Sequence, residues 1–282
     1  LIPPSVLGVI YAAITDVSVG QVFMAGMIPG LMMAASFTGV AIVWALVRPK
    51  AAPREASVSW RERFLVLRKG LAPIILILAV LGTIYTGVAT VNEAAALGAL
   101  TALVLCFVTR RLTWKVLGQA LLATVRTTAF VMLIATGATL FAWFVTYYVI
   151  PQRLTLLMTS AVDNRYLILV IIQVVYFFMG MFMDSLGVML ITVPIVVPLM
   201  VSLGFDPVWF GIVYLINMEI DFMTPPVALS LYVIKGVVGD KASLGDIMWG
   251  ASVFLCVAIP NLALVIAFPQ LALWLPSKML GG

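Results

Sequence analysis

The sequence has few charged residues, no histidine and only two cysteines. With 10% charged and 64% hydrophobic residues, the chain lacks the polar surface that a water-soluble domain requires. The absence of histidine removes the usual transition-metal ligand and the residue best suited to proton relay near neutral pH. Cys106 and Cys256 each stand alone in an apolar run, which predicts small buried side chains rather than a disulfide or metal framework.

Positive charge is also scarce, and it is unevenly placed. Seven of the sixteen lysines and arginines lie between Arg48 and Lys69, and Arg110, Arg111 and Lys115 form a second cluster. The positive-inside rule assigns both clusters to the cytoplasm. The net charge of +5 therefore sets membrane orientation and gives no indication of a nucleic-acid partner.

Long uncharged runs are abundant instead. Four of them reach the roughly 20 residues that cross about 30 Å of hydrocarbon; they are residues 17–47, 71–92, 127–152 and 247–277. The sequence therefore predicts an all-α integral membrane protein that crosses the bilayer several times. With the basic clusters in the cytoplasm, the spans alternate so that residues 150–165 fall on the outer side.

A polar interruption divides the apolar stretch at residues 166–204. Uncharged residues run from Tyr166 to Met183, Asp184 follows, and an apolar return leads to Gly204. The two arms are either full spans with Asp184 at the inner surface or a re-entrant hairpin whose tip stops inside the membrane. The spacing leaves both geometries open.

Residues 207–236 contain a second kind of interruption. Only 12 residues, 207–218, precede Glu219, and the pair Pro225-Pro226 follows shortly afterwards. Proline cannot donate a backbone hydrogen bond, and it disfavours helix at the preceding residue. We therefore predict a helix that stops near the bilayer middle and a second half-helix at residues 227–235. Carbonyls freed at such a break are tolerated only where protein or a water-filled cavity satisfies them.

The beginning of the chain is similar to this late break. Residues 2–11, IPPSVLGVIY, align with residues 224–233, TPPVALSLYV, and residues 18–22 parallel residues 243–247 before another long uncharged span. The crossings between the two copies make one broken helix run outward and the other inward, so the repeat is predicted to be inverted. Inverted repeats with paired broken helices are typical of secondary transporters, in which substrate and ions bind near the midplane.

The chain has no methionine at position 1 and no cleavable signal pattern. It opens at Pro3-Pro4 inside an apolar stretch, whereas a long segment precedes the second break within its own repeat. We therefore expect a leading part of comparable length, with a partner hairpin, ahead of residue 1.

Several motifs carry a resemblance to a known family. They are IPPSVLGVIY with SVGQVFMAGMIPG at residues 2–30, TVNEAAALGAL at 90–100, GMFMD at 180–184, GFDPVWFGI at 204–212 and TPPVALSLYV at 224–233. In order and spacing they resemble the large membrane subunit of tripartite ATP-independent periplasmic (TRAP) transporters, the kind associated with dicarboxylates and sialic acid. The resemblance covers essentially the whole chain. It departs from the family at Ala228 and Asp221, where the family commonly has glycine, and in TVNEAAA, which replaces TPTEAAA.

The resemblance implies an elevator-type secondary transporter, similar to the ion transporter superfamily, with a re-entrant hairpin and two broken helices. Hairpins and broken helices would form a moving transport domain, while other helices and a small four-helix membrane subunit form the scaffold. It also implies a periplasmic substrate-binding protein, a carboxylate substrate, Na⁺ as the coupling ion with no other cofactor, and location in the bacterial inner membrane.

The predicted organisation has three parts. Residues 1–47 are the end of the first inverted repeat, with a broken helix and a span. Residues 48–70 are a cytoplasmic loop that contains a short interfacial helix. Residues 71–282 are the second repeat, with scaffold spans, the hairpin 166–204, the broken helix 207–236 and a final span at 247–273.

The resemblance also assigns site residues. It makes GMFMD with Ser185 the tip of the second hairpin and residues 223–226 the loop that faces it. The ion ligands expected from it are Gly180, Asp184, Ser185, Met223, Thr224 and Pro225. A sodium ion takes hard oxygen ligands, which unwound carbonyls and Thr, Ser or Asp side chains supply. A carboxylate substrate favours the positive helix N-termini after the breaks, at Pro4, Ser5, Pro226 and Val227.

Other interpretations of the acidic residues stay open. Asp221 could accept a proton, pair with a cation or pair inside the scaffold, and Glu93 could cap the N-terminus of its helix. A passive channel would also use broken helices, although no selectivity-filter pattern is present. An intramembrane hydrolase could use Asp184, Glu219 and Asp221 as acid and base, but it gives the repeat no role, so a transporter that is not an enzyme is favoured.

Overall fold

The computed structural model describes residues 1–48, 59–86, 88–224, 229–239 and 242–280, and within them the regular structure is helical. The helices in chain order are α1 (Val6–Thr15), α2 (Val19–Val47), α3 (Trp60–Lys69), α4 (Leu71–Tyr85), α5 (Val91–Val108), α6 (Trp114–Tyr147), α7 (Ile150–Ala161), α8 (Arg165–Gly180), α9 (Ser185–Ser202), α10 (Pro207–Met223), α11 (Leu229–Val238), α12 (Leu244–Ala267) and α13 (Gln270–Leu280). The predicted all-α architecture is confirmed.

Among the described residues, five helices are long and apolar enough to cross a membrane: α2, α5, α6, α9 and α12. Much of their apolar surface is exposed. Of the 34 residues of α6, all within the described part of the chain, Val145 alone is buried. Water cannot cover so much contiguous apolar surface without a large cost, whereas lipid can. The prediction of a multi-pass integral membrane protein is confirmed.

The chain divides into two compact units, residues 1–47 with 138–282 and residues 48–137. This division differs from the three predicted parts, because it groups the first 47 residues with the C-terminal half. The two compact units are defined by contacts within the fold, whereas the three predicted parts are defined by the internal repeat. The division into units therefore does not test the repeat, which stays a prediction.

In the smaller unit, α4 and α5 pack together closely. A methyl group on Gly98 would lie 2.7 Å from Val80 Cγ2. Thr90 caps α5, and the Glu93 carboxylate accepts hydrogen bonds from the Thr90 backbone nitrogen and hydroxyl, both at 2.8 Å. The prediction that Glu93 caps its helix is confirmed, and this capping box fixes where α5 begins.

Helix α3 is the short helix predicted for residues 48–70, of which residues 49–58 lie outside the described residues. The Glu62 carboxylate accepts hydrogen bonds from the Ser59 hydroxyl at 2.9 Å and from its backbone nitrogen at 3.0 Å. These bonds hold the pKa of Glu62 below its usual range. The Arg63 guanidinium lies 4.9 Å from the centre of the Trp60 ring, a combination of cation and aromatic that suits a lipid headgroup boundary.

Helix α10 forms the centre of the larger unit. Asp206 caps it by accepting hydrogen bonds from the backbone nitrogens of Val208, at 2.8 Å, and Trp209, at 3.0 Å. Every residue from Val208 to Met218 is buried, which is the pattern of a core helix rather than an amphipathic one. The helices packed against it are α1, α2, α8, α9, α11, α12 and α13.

One element boundary agrees with its prediction and another differs. Helix α10 ends at Met223, directly before Thr224, as the proline pair at residues 225 and 226 predicts. The final span, predicted at 247–273, is the helix Leu244–Ala267, and Pro269 precedes the separate helix α13. Proline lacks the N–H group that an uninterrupted helix would need at that position.

The stretch on the predicted outer side, residues 150–165, contains helix α7, which packs against α9. The chain turns by 120° between α7 and α8.

The prediction of buried cysteines is wrong, because Cys256 is exposed and Cys106 is half-buried. Both lie on membrane-spanning helices, where lipid offers a small apolar side chain the same environment as a protein core.

Helices α8 and α9 form a hairpin that Arg165 closes at its base. The Arg165 guanidinium donates a hydrogen bond to the Leu203 carbonyl at 3.4 Å. It also lies 5.1 Å from the Tyr166 ring centre and 5.2 Å from that of Phe205. The chain turns after α9 at Gly204, whose φ of 80° favours glycine. The hairpin is present, and whether it is re-entrant stays a prediction.

Arg165→Met is expected to destabilise this hairpin by about 1 kcal/mol, because methionine keeps an apolar stem but loses the cation over two rings. The measurement is the melting temperature of the purified full-length protein. The matched control is Arg153→Met in α7, since Arg153 is exposed and its guanidinium has no ring or carbonyl contact in the described part of the chain. Equal melting temperatures for the two variants would contradict the assignment of Arg165 to hairpin closure.

Candidate functional site

The turn between α8 and α9 contains the first group of predicted ion ligands. The Asp184 carboxylate is exposed and caps α9 by accepting a hydrogen bond from the Leu186 backbone nitrogen at 3.1 Å. Ser185 follows and is buried. Its backbone carbonyl accepts a hydrogen bond from the Tyr214 hydroxyl at 3.3 Å, which joins the hairpin tip to α10.

Gly180, the last residue of α8, lies against Asp221 of α10. The Asp221 carboxyl group occupies the space that a side chain on Gly180 would fill, and Asp221 Cβ lies 2.6 Å from the position of that missing Cβ. Glycine is therefore required at this position for close approach of the two helices. The contact brings the hairpin tip to the C-terminal end of α10.

The C-terminal end of α10 contains the second group of predicted ion ligands. Thr224 is buried, its hydroxyl donates a hydrogen bond to the Ile220 carbonyl at 2.8 Å, and its backbone nitrogen donates to the Asp221 carbonyl at 3.0 Å. The Phe222 carbonyl, freed where the helix ends, accepts a hydrogen bond from the Ser230 hydroxyl of α11. These bonds satisfy several of the carbonyls that a broken helix leaves inside a membrane.

The structure brings three predicted ion ligands to α10, where Gly180 and Ser185 contact it and Thr224 ends it. Met223 is the last residue of α10 and lines a cavity, whereas Asp184 is exposed at the hairpin tip. Three predicted site residues lie outside the described residues: Pro225, Pro226 and Val227.

The cavity beside Met223 has a volume of about 470 Å³. Its wall combines the start of the chain, α2, α10 and α11: Leu1, Ile2, Gly30, Met33, Ala34, Phe37, Glu219, Phe222, Met223 and Ser230. The polar side chains among these are Glu219 and Ser230. Glu219 Oε1 lies 3.3 Å from the backbone nitrogen of Leu1. The volume falls within the roughly 300 to 1,000 Å³ common for small-molecule sites.

The start of the chain reaches the cavity through Leu1 and Ile2 rather than through the predicted substrate contacts Pro4 and Ser5. Pro4 is exposed. The Ser5 hydroxyl caps α1 by accepting a hydrogen bond from the Gly8 backbone nitrogen at 3.2 Å. Ser5 therefore has a structural task at the helix N-terminus, and its contact with substrate stays a prediction.

Two glycines on α2, which were not predicted as site residues, let the start of the chain pack closely against this helix. A methyl group on Gly26 would lie 2.8 Å from the Leu1 carbonyl oxygen, and one on Gly30 would lie 2.7 Å from Ile2 Cγ1. The available signal was the pattern GMIPG, because glycines four residues apart share one helix face and let another segment approach closely.

A buried polar pair, also missed, joins the hairpin to α10. The Asn217 side-chain amide donates hydrogen bonds to the Gln173 backbone carbonyl at 2.9 Å and to its side-chain oxygen at 2.8 Å. Next to this pair, the Tyr176 and Tyr214 rings pack edge to face with centres 4.9 Å apart. Polar side chains of this kind join helices inside a membrane by hydrogen bonding across the interface.

In the described segments, no three His, Cys, Asp or Glu side chains converge. A cation at the end of α10 would therefore depend mainly on backbone carbonyls and hydroxyl oxygens, with no more than two carboxylates from the described residues. Such hard oxygen ligands suit alkali and alkaline-earth ions rather than transition metals.

Residues 1–271 match the family model described as the tripartite ATP-independent periplasmic transporter, DctM component. The chain is 36% identical over 278 residues to the C4-dicarboxylate TRAP transporter large permease protein DctM of Pseudomonas aeruginosa, covering 98% of the chain and 64% of that protein. It is 38% identical over 287 residues to the sialic acid TRAP transporter large permease protein SiaM of Vibrio cholerae, covering 100% and 65%. It is 32% identical over 276 residues to the ectoine TRAP transporter large permease protein TeaC of Halomonas elongata, covering 98% and 64%. The chain thus spans slightly less than two thirds of the length of these relatives.

Proposed function

The chain belongs to the DctM-component family of tripartite ATP-independent periplasmic transporters, and from that membership we propose that it forms part of the permease of a sodium-gradient-driven uptake system for small organic acids. The family and the relatives are transport permeases, so the chain is not an enzyme. Its apolar spans and its bacterial relatives make it a multi-pass protein of the inner membrane.

The observation that carries the proposal is the packing of the hairpin tip against the end of α10 beside a cavity. Gly180 and Ser185 contact α10, α10 ends at Thr224, and the cavity wall includes Met223 from the same end. A coupling ion and a substrate could therefore bind within a short distance of each other. Such proximity is what a symporter needs, because each ligand must change the stability of the other's bound state.

An inverted repeat and an elevator movement belong to the proposal. Helices α1 and α11 have ten residues each. Each is followed directly by a residue with positive φ, which is Asp16 at 54° after α1 and Gly239 at 61° after α11. The long helices that follow, α2 and α12, are each capped by a serine, Ser18 and Ser243. The hairpin and both broken helices belong to one compact unit, as a transport domain requires, while α3 to α5 belong to the other.

The proposed sodium site uses Gly180, Asp184, Ser185 and residues 223–225, which retain the assignment made from the sequence. Support comes from Thr224, whose hydroxyl hydrogen is engaged by the Ile220 carbonyl. Because that hydrogen points back along the helix, the lone pairs of the Thr224 oxygen remain available to a cation.

The proposed substrate is a carboxylate, as the names of the C4-dicarboxylate and sialic acid relatives suggest. The described cavity wall contains no lysine or arginine. The proposed counter-charge for the substrate is therefore the positive helix end that the sequence predicts at Pro226 and Val227, with Pro4 and Ser5 as the matching residues of the first repeat. The proposed partners are a small membrane subunit and a periplasmic binding protein.

Uptake into liposomes tests the function. The full-length permease, reconstituted with the small membrane subunit, is expected to accumulate a radiolabelled organic acid only when its binding protein and an inward sodium gradient are both present. Uptake should saturate with substrate. Ion conductance without saturation would indicate a channel, and cleavage of an added membrane peptide would indicate a hydrolase, so either result would remove the proposal.

Thr224→Val tests the sodium site itself. Valine matches the shape of threonine but lacks the oxygen, so the half-saturating sodium concentration for uptake is expected to rise about tenfold. The control is Thr192→Val in α9, because Thr192 is also buried and its hydroxyl also donates to the carbonyl four residues earlier, at 2.7 Å. Unchanged sodium dependence in Thr224→Val, or an equal change in both variants, would count against the site.

A further inference from the structure

Asp221, near the end of α10, carries a buried carboxyl group without a polar partner. Only 2% of the residue is exposed, and neither carboxyl oxygen accepts a hydrogen bond within the described part of the chain. Burying an ionised carboxylate is unfavourable unless hydrogen bonds, an opposite charge or a metal ion compensates it. An ionised carboxylate at this position therefore requires a partner beyond these residues.

No buried basic side chain supplies the opposite charge. The buried polar and charged residues of the described chain are Gln173, Ser185, Thr192, Asn217, Asp221, Thr224 and Asn261. The ionisable side chains within electrostatic range around Tyr214 are Tyr176, Tyr11, Asp184 and Asp221, and none of them is a cation near neutral pH. An ionised Asp221 would therefore meet no compensating cation among the described residues of this region.

Asp221 also lies where two helices present their negative ends. Helix α8 ends at Gly180, and the absence of a side chain there lets the Asp221 carboxyl group lie against its last turn. Helix α10 ends at Met223, within one turn of Asp221. The last carbonyls of a helix carry a partial negative charge. The local field therefore disfavours a lone anion and favours a cation.

We propose that Asp221 is the carboxylate ligand of an alkali-metal cation held where α8 and α10 end. The proposal rests on the proposed sodium-driven function and adds a charged ligand to it, since Gly180 and Thr224 flank the same place. Carbonyl oxygens at the two helix ends and the Thr224 hydroxyl oxygen complete a set of hard ligands. Because the carboxylate balances the charge of the ion, the occupied site is neutral and its burial in the low-dielectric interior becomes less unfavourable.

Melting temperatures test this ligand directly. The full-length permease, purified with its small membrane subunit, is titrated with NaCl, KCl or LiCl against choline chloride at constant ionic strength. The wild type is expected to melt at rising temperature as the bound cation increases. Asp221→Asn keeps the shape and removes the charge, so the half-saturating cation concentration should rise at least about tenfold. In choline alone, this variant should be at least as stable as the wild type, because an unpaired buried charge has been removed.

The control variant is Asp206→Asn, which removes a carboxylate from the other end of the same helix while asparagine still caps it. It should respond to cations like the wild type. Wild-type cation dependence in Asp221→Asn, loss of folding of that variant in choline, or a wild type that responds to no alkali cation would each overturn the proposal. Uptake separates the two claims: sodium-independent uptake removes the proposed function, whereas a melting response that requires Asp221 still supports the cation site.

Discussion

Gly180→Ala is expected to abolish sodium-dependent uptake and to lower the melting temperature of the permease. The added methyl group would overlap the Asp221 carboxyl group and lie 2.6 Å from Asp221 Cβ. Rotation of the carboxyl group cannot relieve the contact with Cβ, so α8 must move away from α10. The cost should lie at the upper end of overpacking substitutions, about 3 kcal/mol. The movement also separates the hairpin tip from the end of α10, where the cation site is proposed.

Two variants make this prediction specific. Gly187→Ala, early in α9, should be harmless, because the nearest atom to its new methyl group would be the flexible end of Met183 at 3.9 Å. The double variant with Gly180→Ala and Asp221→Gly should recover the melting temperature but not sodium-dependent uptake, since the methyl group gains space while the carboxylate is lost. Normal uptake in Gly180→Ala alone would mean that the two helices are not in contact in the working protein.

The membrane class and the positions of the main elements could be predicted because both depend on local sequence. An uncharged run long enough to cross hydrocarbon has few alternatives in a protein of this composition. Proline at residues 225 and 226 and the polar interruption at Asp184 likewise act on their immediate neighbours, and α9 begins directly after Asp184. The family resemblance then supplied an order of motifs, and the match of residues 1–271 confirms it.

Packing inside the site could not be predicted, because it joins residues far apart in the chain. Nothing near Asp221 in the sequence shows that a glycine 41 positions earlier leaves room for its carboxyl group. The surroundings of the two acidic residues near the end of α10 have the same origin, since a charged residue in a membrane helix needs a partner or a cavity that receives it. Glu219 reaches a cavity wall, and Asp221 meets the bare backbone of Gly180.

Gly211→Ala should be the second most damaging small substitution, although alanine is a better helix former than glycine. Its methyl group would overlap Tyr11 Cε1 and lie 2.8 Å from Tyr11 Cζ. The Tyr11 ring cannot withdraw easily, because it is fully buried and its hydroxyl donates a hydrogen bond to the Pro207 carbonyl at 2.7 Å. The expected net loss is about 2 kcal/mol, after the gain of roughly 1 kcal/mol in helix propensity.

Gly250→Ala in α12 measures the gain in helix propensity alone, because no atom lies within 4 Å of its new methyl group. That variant should melt slightly above the wild type, whereas Gly211→Ala should melt below it and transport more slowly, since α1 belongs to the proposed first broken helix. In a Tyr11→Leu background the cost of Gly211→Ala should shrink, and a double-mutant cycle measures the difference. Independent, additive effects would show that α1 and α10 do not meet at these two residues, and the packing of Tyr11 against Gly211 would have to be abandoned.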